Sequence, residues 1–274
     1  MTEYLVQDQS LTDLADAIRE KTGGTESMTL GSMVTTIQNI EIGEDYSSEL
    51  IERTITEYSN SNITTVGTGA FQECTKLTSI NLPNVTTING NAFKSCTGLT
   101  SVSFPNATTM NGDFAFQGCI NLTSISFPKA TNIGAQAFAS CTSLKSINLP
   151  NVTTINGNAF QYCTGLTSVS IPNVTYIGNY AFTSCTSLTS INLPKVTTIS
   201  TYAFQYCTNL SKITLGASTV CSLSIMYFGF GDSGAFSGTG ITSTTGSIFV
   251  PSSLVASYKV ATNWSYYSNR IYSA

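Results

Sequence analysis

Cysteine is the residue type best able to do chemistry in this sequence, which has eight cysteines and no histidine. A thiolate becomes a nucleophile when a base or a positive charge lowers its pKa, and zinc sites combine Cys with His or with a closely spaced second Cys. The chain has no histidine and no Cys-x-x-Cys pair. Because Ser-His and Cys-His arrangements both need histidine, the sequence predicts neither a nucleophilic triad nor a zinc site.

Two other patterns could carry chemistry, and both are weak. Paired carboxylates for acid-base catalysis are not available between residues 60 and 215, where the only acids are Glu73 and Asp113. The glycines at 229, 231 and 234 fit the dinucleotide fingerprint, but no acidic residue follows Asp232 to hold a ribose. We therefore expect residues 216–234 to be an insertion without a cofactor, and we predict that the protein is not an enzyme.

Seven of the eight cysteines belong to a repeat with a period of 22 residues, interrupted once by 23. In seven units an Ala-Phe pair is followed by Cys three residues after the Phe, and by Leu three residues further on. The Ala-Phe pairs begin at Ala70, Ala92, Ala115, Ala137, Ala159, Ala181 and Ala203. A unit this short cannot bury its apolar residues alone, so the copies must stack on one another into a solenoid.

Within one unit the apolar residues define the interior. In the unit at 141–160 these are Leu144, Ile147, Leu149, Val152, Ile155, Ala159 and Phe160. The pattern predicts a short strand ending at Pro150, a second short strand over 152–155, and a turn at Asn156-Gly157 that leads into a helical turn carrying Ala-Phe. The single 23-residue unit contains Asp113, which we interpret as a local bulge.

One cysteine per unit predicts a stacked ladder of thiols. Strands stack about 4.8 Å apart, which is longer than the Cβ separation of about 3.5–4.5 Å that a disulfide requires. We expect buried, reduced thiols that pack as small hydrophobes and that suit assembly in a reducing compartment.

These residues resemble the bacterial BspA-like leucine-rich repeats, with their Cys-x-x-Leu-x-x-Ile-x-Leu-Pro and Ile-Gly-x-x-Ala-Phe signatures. The resemblance covers about residues 60–250 and implies adhesion and cell-surface binding rather than catalysis. A second resemblance concerns LTDLADAIREKTGG, which looks like the N-terminal segment of phage tail and minor structural proteins. It implies a virion component, such as a tail fibre or a baseplate-associated adhesin.

The ends differ from the repeats. Ser10 and Asp13 form a capping box for a short helix, and a second amphipathic run follows over 28–40. We divide the chain into a helical attachment module (1–43), a linker with a first irregular strand (44–59), the solenoid (60–250) with its insertion (216–234), and a C-terminal cap (251–274). In the cap, Ser252 is expected to cap a helix at its N-terminus, and the segment that contains Trp264 is expected to cover the last unit.

Charge excludes some partners. Residues 1–59 carry twelve acids and three bases, whereas residues 60–215 carry two acids and six dispersed lysines. Nucleic-acid binding needs a basic stripe, so we expect no such partner. The first ten residues lack the positive charge of a signal peptide, and no stretch approaches the roughly 20 apolar residues of a membrane span.

Two groups of residues are candidates for binding a host protein or glycan. The first lies on the predicted strand face and comprises Ser79, Asn81, Ser101, Ser103, Ser124, Ser126, Ser146, Asn148, Ser168, Ser170, Ser190 and Asn192. The second is aromatic and comprises Tyr162, Tyr176, Tyr180, Tyr202, Tyr206, Tyr227, Phe228 and Phe230. The tyrosines occupy three repeat positions and need not share one face. The alternative interpretation of the strand face is plain solubility and ladder packing.

Two function hypotheses remain. The main hypothesis is a non-enzymatic virion protein that contacts other virion proteins through residues 1–43, forms a homo-oligomer and presents the solenoid to the host. The alternative is a bacterial BspA-like adhesin at the cell surface.

Overall fold

The computed structural model describes residues 56–110, 112–224, 234–242 and 246–274. The predicted N-terminal helices lie outside the described residues. Tyr227, Phe228 and Phe230 of the insertion also lie outside them.

The described chain winds into a stack of similar coils held together by two rows of short strands, and every strand pair among the described residues is parallel. In the coils between residues 79 and 192 the outward residues of the first row are polar and the central residue is apolar, which is the alternation of a half-buried strand. The first row consists of β1 (Glu57–Ser59), β3 (Ser79–Asn81), β5 (Ser101–Ser103), β6 (Ser124–Ser126), β8 (Ser146–Asn148), β10 (Ser168–Ser170), β12 (Ser190–Leu193), β14 (Lys212–Leu215), β16 (Ser247–Val250) and β17 (Ile271–Ser273). The strand register pairs residues that occupy the same position in adjacent repeats, such as Ser146 with Ser168. Residues at one repeat position therefore form a column along the solenoid.

The second row confirms the predicted second strand, in a shorter form. It consists of β2 (Thr65–Val66), β4 (Thr87–Ile88), β7 (Asn132–Ile133), β9 (Thr154–Ile155), β11 (Tyr176–Ile177), β13 (Thr198–Ile199) and β15 (Ser222–Leu223). Thr109 completes the row through a single bridge to Thr87.

The third side of each coil corrects the prediction of a helical turn. The Ala-Phe segment is a chain of tight turns, and the residues on either side of it have positive φ, as at Asn158 (58°) and Tyr162 (59°). This backbone directs alternate N–H groups out of the coil: Gln136, Phe138 and Ser140 donate to the carbonyls of Gly157, Ala159 and Gln161 in the next coil, at 3.0, 2.8 and 2.7 Å. A helical turn would direct these groups along the chain, so stacking selects the turns instead.

The 23-residue coil also differs from the prediction. Asp113 keeps the regular register, because its carbonyl accepts the N–H of Asn91 at 2.9 Å, as Gly157 does for Gln136. Met110 is also in register and accepts the N–H of Gly134 at 2.8 Å. The extra residue therefore lies at 111–112. A side chain at Gly112 would lie 2.3 Å from the backbone of Asn89, so only glycine fits there.

Several interior columns repeat one residue type, whereas the column of Leu149 holds phenylalanine at Phe104 and Phe127. The Ala-Phe phenylalanines stack face to face from Phe71 to Phe236, with ring centroids between 4.9 Å (Phe93 to Phe116) and 5.8 Å (Phe204 to Phe236). All seven inward positions predicted for the unit at 141–160 are buried. Because each ring contacts a copy of itself on both sides, the apolar area of one coil is covered by the next.

The C-terminal residues close this column. Two 3-10 helices (Ser252–Leu254 and Ser265–Arg270) flank α1 (Val255–Val260), the single α-helix of the described residues. Trp264 is buried against Phe236 and donates its indole N–H to the carbonyl of Cys221 at 2.6 Å, while the N–H of Cys221 donates to the Tyr258 hydroxyl at 2.8 Å. The cap thus satisfies backbone groups of the last regular coil. The expected helix cap at Ser252 is wrong, because the residue at the helix N-terminus is Leu254 and no side chain caps it.

Candidate functional site

The strand face is a flat surface of small, uncharged side chains. All twelve serines and asparagines predicted to lie there are exposed, including the candidate binding residues Ser146, Asn148, Ser168, Ser170, Ser190 and Asn192. The parallel register sorts them into two columns, one beginning at Ser79 and the other at Asn81. Hydroxyl and amide groups both donate and accept hydrogen bonds, so this face suits a polar ligand. That it binds one remains a prediction.

The C-terminal end of the strand face carries three residues that the sequence did not single out. The column of Asn192 continues through Thr214 to Phe249 and Tyr272. The rings of Phe249 and Tyr272 lie 6.0 Å apart, and Lys212 Nζ lies 4.9 Å from the centre of the Phe249 ring. Tyr272 is 46% exposed. The strand face therefore changes from small polar groups to aromatic rings and one cation in its last coils.

Phe249 and Tyr272 occupy the strand-face position of the repeat, but the spacing in the sequence does not show it. Phe249 follows Ile248 as Asn192 follows Ile191, but 35 residues separate Ile213 from its partner Ile248. The insertion thus hides the register from a search for a 22-residue spacing.

The tyrosines lie in two places. Tyr176, Tyr180 and Tyr202 lie around the corner between the second strand row and the Ala-Phe turns, where the rings of Tyr180 and Tyr202 stack at 5.0 Å. Tyr162 and Tyr206 lie at the far end of the turns and are 49% and 54% exposed. Three of the five tyrosines therefore share one corner, which their different repeat positions did not indicate.

The cysteines are buried, as their repeat position predicts, and the structure gives them a further contact. Each thiol from Cys96 to Cys207 donates to the carbonyl of the Ala-Phe phenylalanine one coil earlier, as Cys163 does to Phe138 at 3.1 Å and Cys207 to Phe182 at 2.9 Å. The same carbonyl accepts the N–H of the cysteine in its own coil. Sequence reasoning missed this bond, because nothing in the pattern distinguishes a thiol donor from a small apolar residue.

Burial also determines the acidity of these thiols. Loss of solvation raises the pKa of Cys119 and of Cys163 to about 12, although hydrogen bonding to the backbone opposes the change. Burial raises the pKa of Cys141 and Cys185 as well. A thiol that stays protonated at neutral pH is a poor nucleophile, so this ladder is structural.

A polar ladder joins the coils on the outside. The asparagine after each strand-ending proline donates its side-chain amide to the preceding coil, as Asn151 does to the Pro128 carbonyl and Asn173 to the Pro150 carbonyl, both at 2.7 Å. Lysine at the same position donates to the asparagine instead, as Lys195 does to Asn173 Oδ1 at 2.6 Å. Lysine and asparagine at this position therefore both bond to the preceding coil, but they use different acceptors.

In the ranges that the structure describes, no three His, Cys, Asp or Glu side chains cluster as metal ligands would. No helix among these same residues has the length and apolar character needed to cross a bilayer.

The chain matches a family described as the BspA type leucine rich repeat region, over residues 46–167 and 131–252. No curated protein matches it. Among solved structures, it is similar to a leucine-rich repeat protein from Bacteroides ovatus, with 22% identity and a TM-score of 0.42 over 80% of this chain and 66% of that one. A leucine-rich repeat protein from Eubacterium ventriosum has 26% identity and a TM-score of 0.47 over 68% and 44%.

A leucine rich cell surface protein from Faecalibacterium prausnitzii is also similar, with 24% identity and a TM-score of 0.40 over 65% of this chain and 61% of that one. This chain spans less than two thirds of the length of each of these three solved chains.

Proposed function

We propose, since this chain belongs to the BspA-type leucine-rich-repeat family, that it is a non-enzymatic protein that binds a partner at a bacterial cell surface. The observation that carries the proposal is the strand face, where twelve exposed serine and asparagine side chains form two columns without a charge. The interior residues are used for stacking, and burial raises the pKa of Cys119, Cys141, Cys163 and Cys185. A regular, exposed surface on a rigid scaffold is what solenoid proteins use for binding.

The partner in this proposal is a protein or glycan of a host surface. The uncharged face favours recognition by hydrogen bonds over electrostatic attraction, so binding should depend weakly on salt concentration. A partner recognised through charge would lose affinity steeply as the ionic strength rises.

Two charge-matched variants of the full chain test this function. Ser168→Lys with Ser190→Lys places two cations in the column where Lys212 already lies. Asn151→Lys with Asn173→Lys adds the same charge to the polar ladder, where Lys129 and Lys195 occur naturally. Binding of the fluorescently labelled proteins to epithelial and bacterial cells is measured by flow cytometry.

We expect the strand-face variant to bind at least tenfold more weakly, because a ligand would have to desolvate two cations, and the ladder variant to bind within twofold of the native chain. Equal binding by both variants would remove the strand face from the proposal. Failure of the native chain to bind any cell would remove the function itself.

The virion hypothesis is the second candidate, and it rests on the resemblance of the N-terminal segment to phage structural proteins. That segment lies outside the described residues, and the family match favours the cell-surface hypothesis instead. Light scattering on the full chain and on a chain without residues 1–43 separates the two. A defined oligomer that becomes a folded monomer on truncation would favour assembly through the N-terminal segment.

A further inference from the structure

Three tyrosines replace the usual residues of the repeat at one corner of the solenoid, which we call the tyrosine corner (Tyr176, Tyr180 and Tyr202). In the second strand row, Tyr176 lies between Thr154 and Thr198, and every other paired residue of that column is Thr, Asn or Ser. Tyr180 and Tyr202 occupy the left-handed position before Ala-Phe. The earlier coils place Gly69, Asn91, Phe114, Gln136 and Asn158 there.

The fold brings these three substitutions together. The rings of Tyr180 and Tyr202 stack across adjacent coils, with centroids 5.0 Å apart and planes inclined by 28°. Ser200 donates its hydroxyl to the Tyr176 hydroxyl at 3.2 Å, which joins Tyr176 to the coil of Tyr202. Tyr176 is 36% exposed, and the stacked pair is half-buried. The result is a partly exposed aromatic surface that spans two coils.

Tyrosine is an unfavourable choice for this backbone. Tyr180 and Tyr202 have φ values of 57° and 58°, a region that bulky side chains avoid and that asparagine and glycine tolerate. Asn158 adopts the same conformation one coil earlier, with a φ of 58°. Folding therefore does not require tyrosine at either position.

The surroundings of the corner restrict the ligand. Lys195 is the only charged residue between 154 and 211, and its ammonium group is bound to Asn173 in the outer polar ladder. An uncharged corner lacks the cations that a nucleic acid or an acidic polymer needs. It also lacks arginine, which is enriched with aromatic residues at the centres of protein interfaces. What remains is a set of aromatic faces bordered by hydroxyl groups.

We propose that the tyrosine corner binds an uncharged saccharide. The apolar C–H face of a sugar ring would pack on the aromatic surface, and its hydroxyl groups would exchange hydrogen bonds with the phenol groups, which donate and accept. This proposal names a ligand class for the surface binding proposed above and depends on that function for its biological meaning. The strand face and the corner lie on different sides of the coils, so the two can be tested separately.

The repeat itself supplies the variants for the test. Tyr180→Asn with Tyr202→Asn installs the residue that Asn91 and Asn158 place in the same backbone conformation, so the variant should fold. Tyr162→Ser removes a more exposed tyrosine outside the corner and installs the residue found at Ser140 and Ser184. The full native chain and both variants are applied to an array of uncharged mammalian and microbial glycans, and the thermal midpoint of each protein is recorded.

We expect the native chain to bind at least one uncharged glycan, the double variant to lose at least tenfold in affinity, and Tyr162→Ser to stay within twofold. The thermal midpoints of all three proteins should lie close together. The proposal is overturned if no uncharged glycan binds, if the double variant binds like the native chain, or if Tyr162→Ser loses as much. Cell binding without glycan binding would overturn only the saccharide proposal, whereas glycan binding without cell binding would overturn only the surface function.

Discussion

The interior and the exterior of the coils follow different rules. At the Ala-Phe position the interior holds phenylalanine from Phe71 to Phe204 without exception, whereas the half-buried position just before Ala-Phe holds Gly, Asn, Phe, Gln and Tyr. A ring of this column must fit a copy of itself on two sides, so its replacement in one coil misfits both neighbours. An exterior side chain must only tolerate the backbone conformation. Departures from the repeat on the outside are therefore informative about binding, and constancy on the inside is informative about stability.

Alkaline pH should cause the largest loss of folding stability, and this loss should come from the interior. Burial raises the pKa of five thiols above the ordinary 9.0, namely Cys119, Cys141, Cys163, Cys185 and Cys221. Above pH 9 the unfolded chain releases these protons while the folded chain retains them, so stability is fully present below pH 9 and is lost as the pH rises toward 12. The expected loss is about 1.4 kcal/mol per pH unit for each thiol.

Thermal midpoints measured between pH 7 and 11 check this expectation. Cys163→Ala should lower the midpoint at pH 7 but make its fall above pH 9 less steep. A native midpoint that stays constant up to pH 11 would contradict the protonated ladder.

Removal of one interior ring should have the next largest effect. Phe160→Ala deletes a ring stacked at 5.4 and 5.3 Å on Phe138 and Phe182, and we expect a loss of about 3–5 kcal/mol in the free energy of unfolding. Urea denaturation followed by circular dichroism measures the change. Ser168→Ala on the strand face is the exterior control, with an expected change within about 0.5 kcal/mol. Similar losses of unfolding free energy in both variants would show that interior and exterior positions do not differ in their contribution to stability.

Loss of one contact in the polar ladder should reduce the free energy of unfolding by less than loss of an interior ring, but by more than an exterior substitution. Asn173→Ala removes a donor to Pro150 and an acceptor for Lys195, and we expect a loss of about 1 kcal/mol from these hydrogen bonds. Asn179→Ala, at an exposed asparagine of the same coil, should change stability by less than about 0.5 kcal/mol. Equal urea midpoints for the two variants would show that the ladder contributes nothing.

The smallest effect should be a gain. Tyr162 has a φ of 59° at a position where Gly118 and Gly238 adopt 74° and 68°. Tyr162→Gly relieves an unfavourable conformation at some cost in chain entropy, so we expect a gain of up to about 1 kcal/mol in the free energy of unfolding. Thr164→Gly, where φ is negative, should instead lose up to about 1 kcal/mol. A loss at Tyr162 would mean that its side chain makes contacts worth more than the strain.

The sequence predicted those features that the period alone determines. The inward residues of the coil at 141–160, the strand ending at Pro150 and the burial of Cys163 all follow from matching one unit to its copies. The Ala-Phe turns were predicted wrongly, because a period of 22 does not distinguish a helical turn from turns with left-handed residues. Serine, glutamine and tyrosine at positive φ give no signal, since only glycine and asparagine indicate that conformation.

The candidate sites were less predictable than the fold. The exposed strand-face residues follow from the alternation within each strand, but their role in binding stays a prediction. The tyrosine corner could not be predicted from repeat positions, because the proximity of Tyr176 to Tyr202 depends on how sharply the chain turns after β13. Phe249 and Tyr272 were missed because the insertion obscures their register.

Because adjacent coils contact one another in closely similar ways, the number of coils can change during evolution. From Ala137 to Phe204 the apolar core positions either hold one residue type or exchange Ile, Leu and Val, as at Leu149 and Ile171, so a gene rearrangement that deletes or duplicates 22 codons leaves the interior contacts closely matched. Each such event would shorten or lengthen the solenoid by about 4.8 Å, the spacing of adjacent strands. Because Tyr180 and Tyr202 lie on adjacent coils, duplications elsewhere would move the tyrosine corner along the solenoid without disassembling it. The length of the solenoid and the composition of the tyrosine corner can thus change independently during the evolution of this protein.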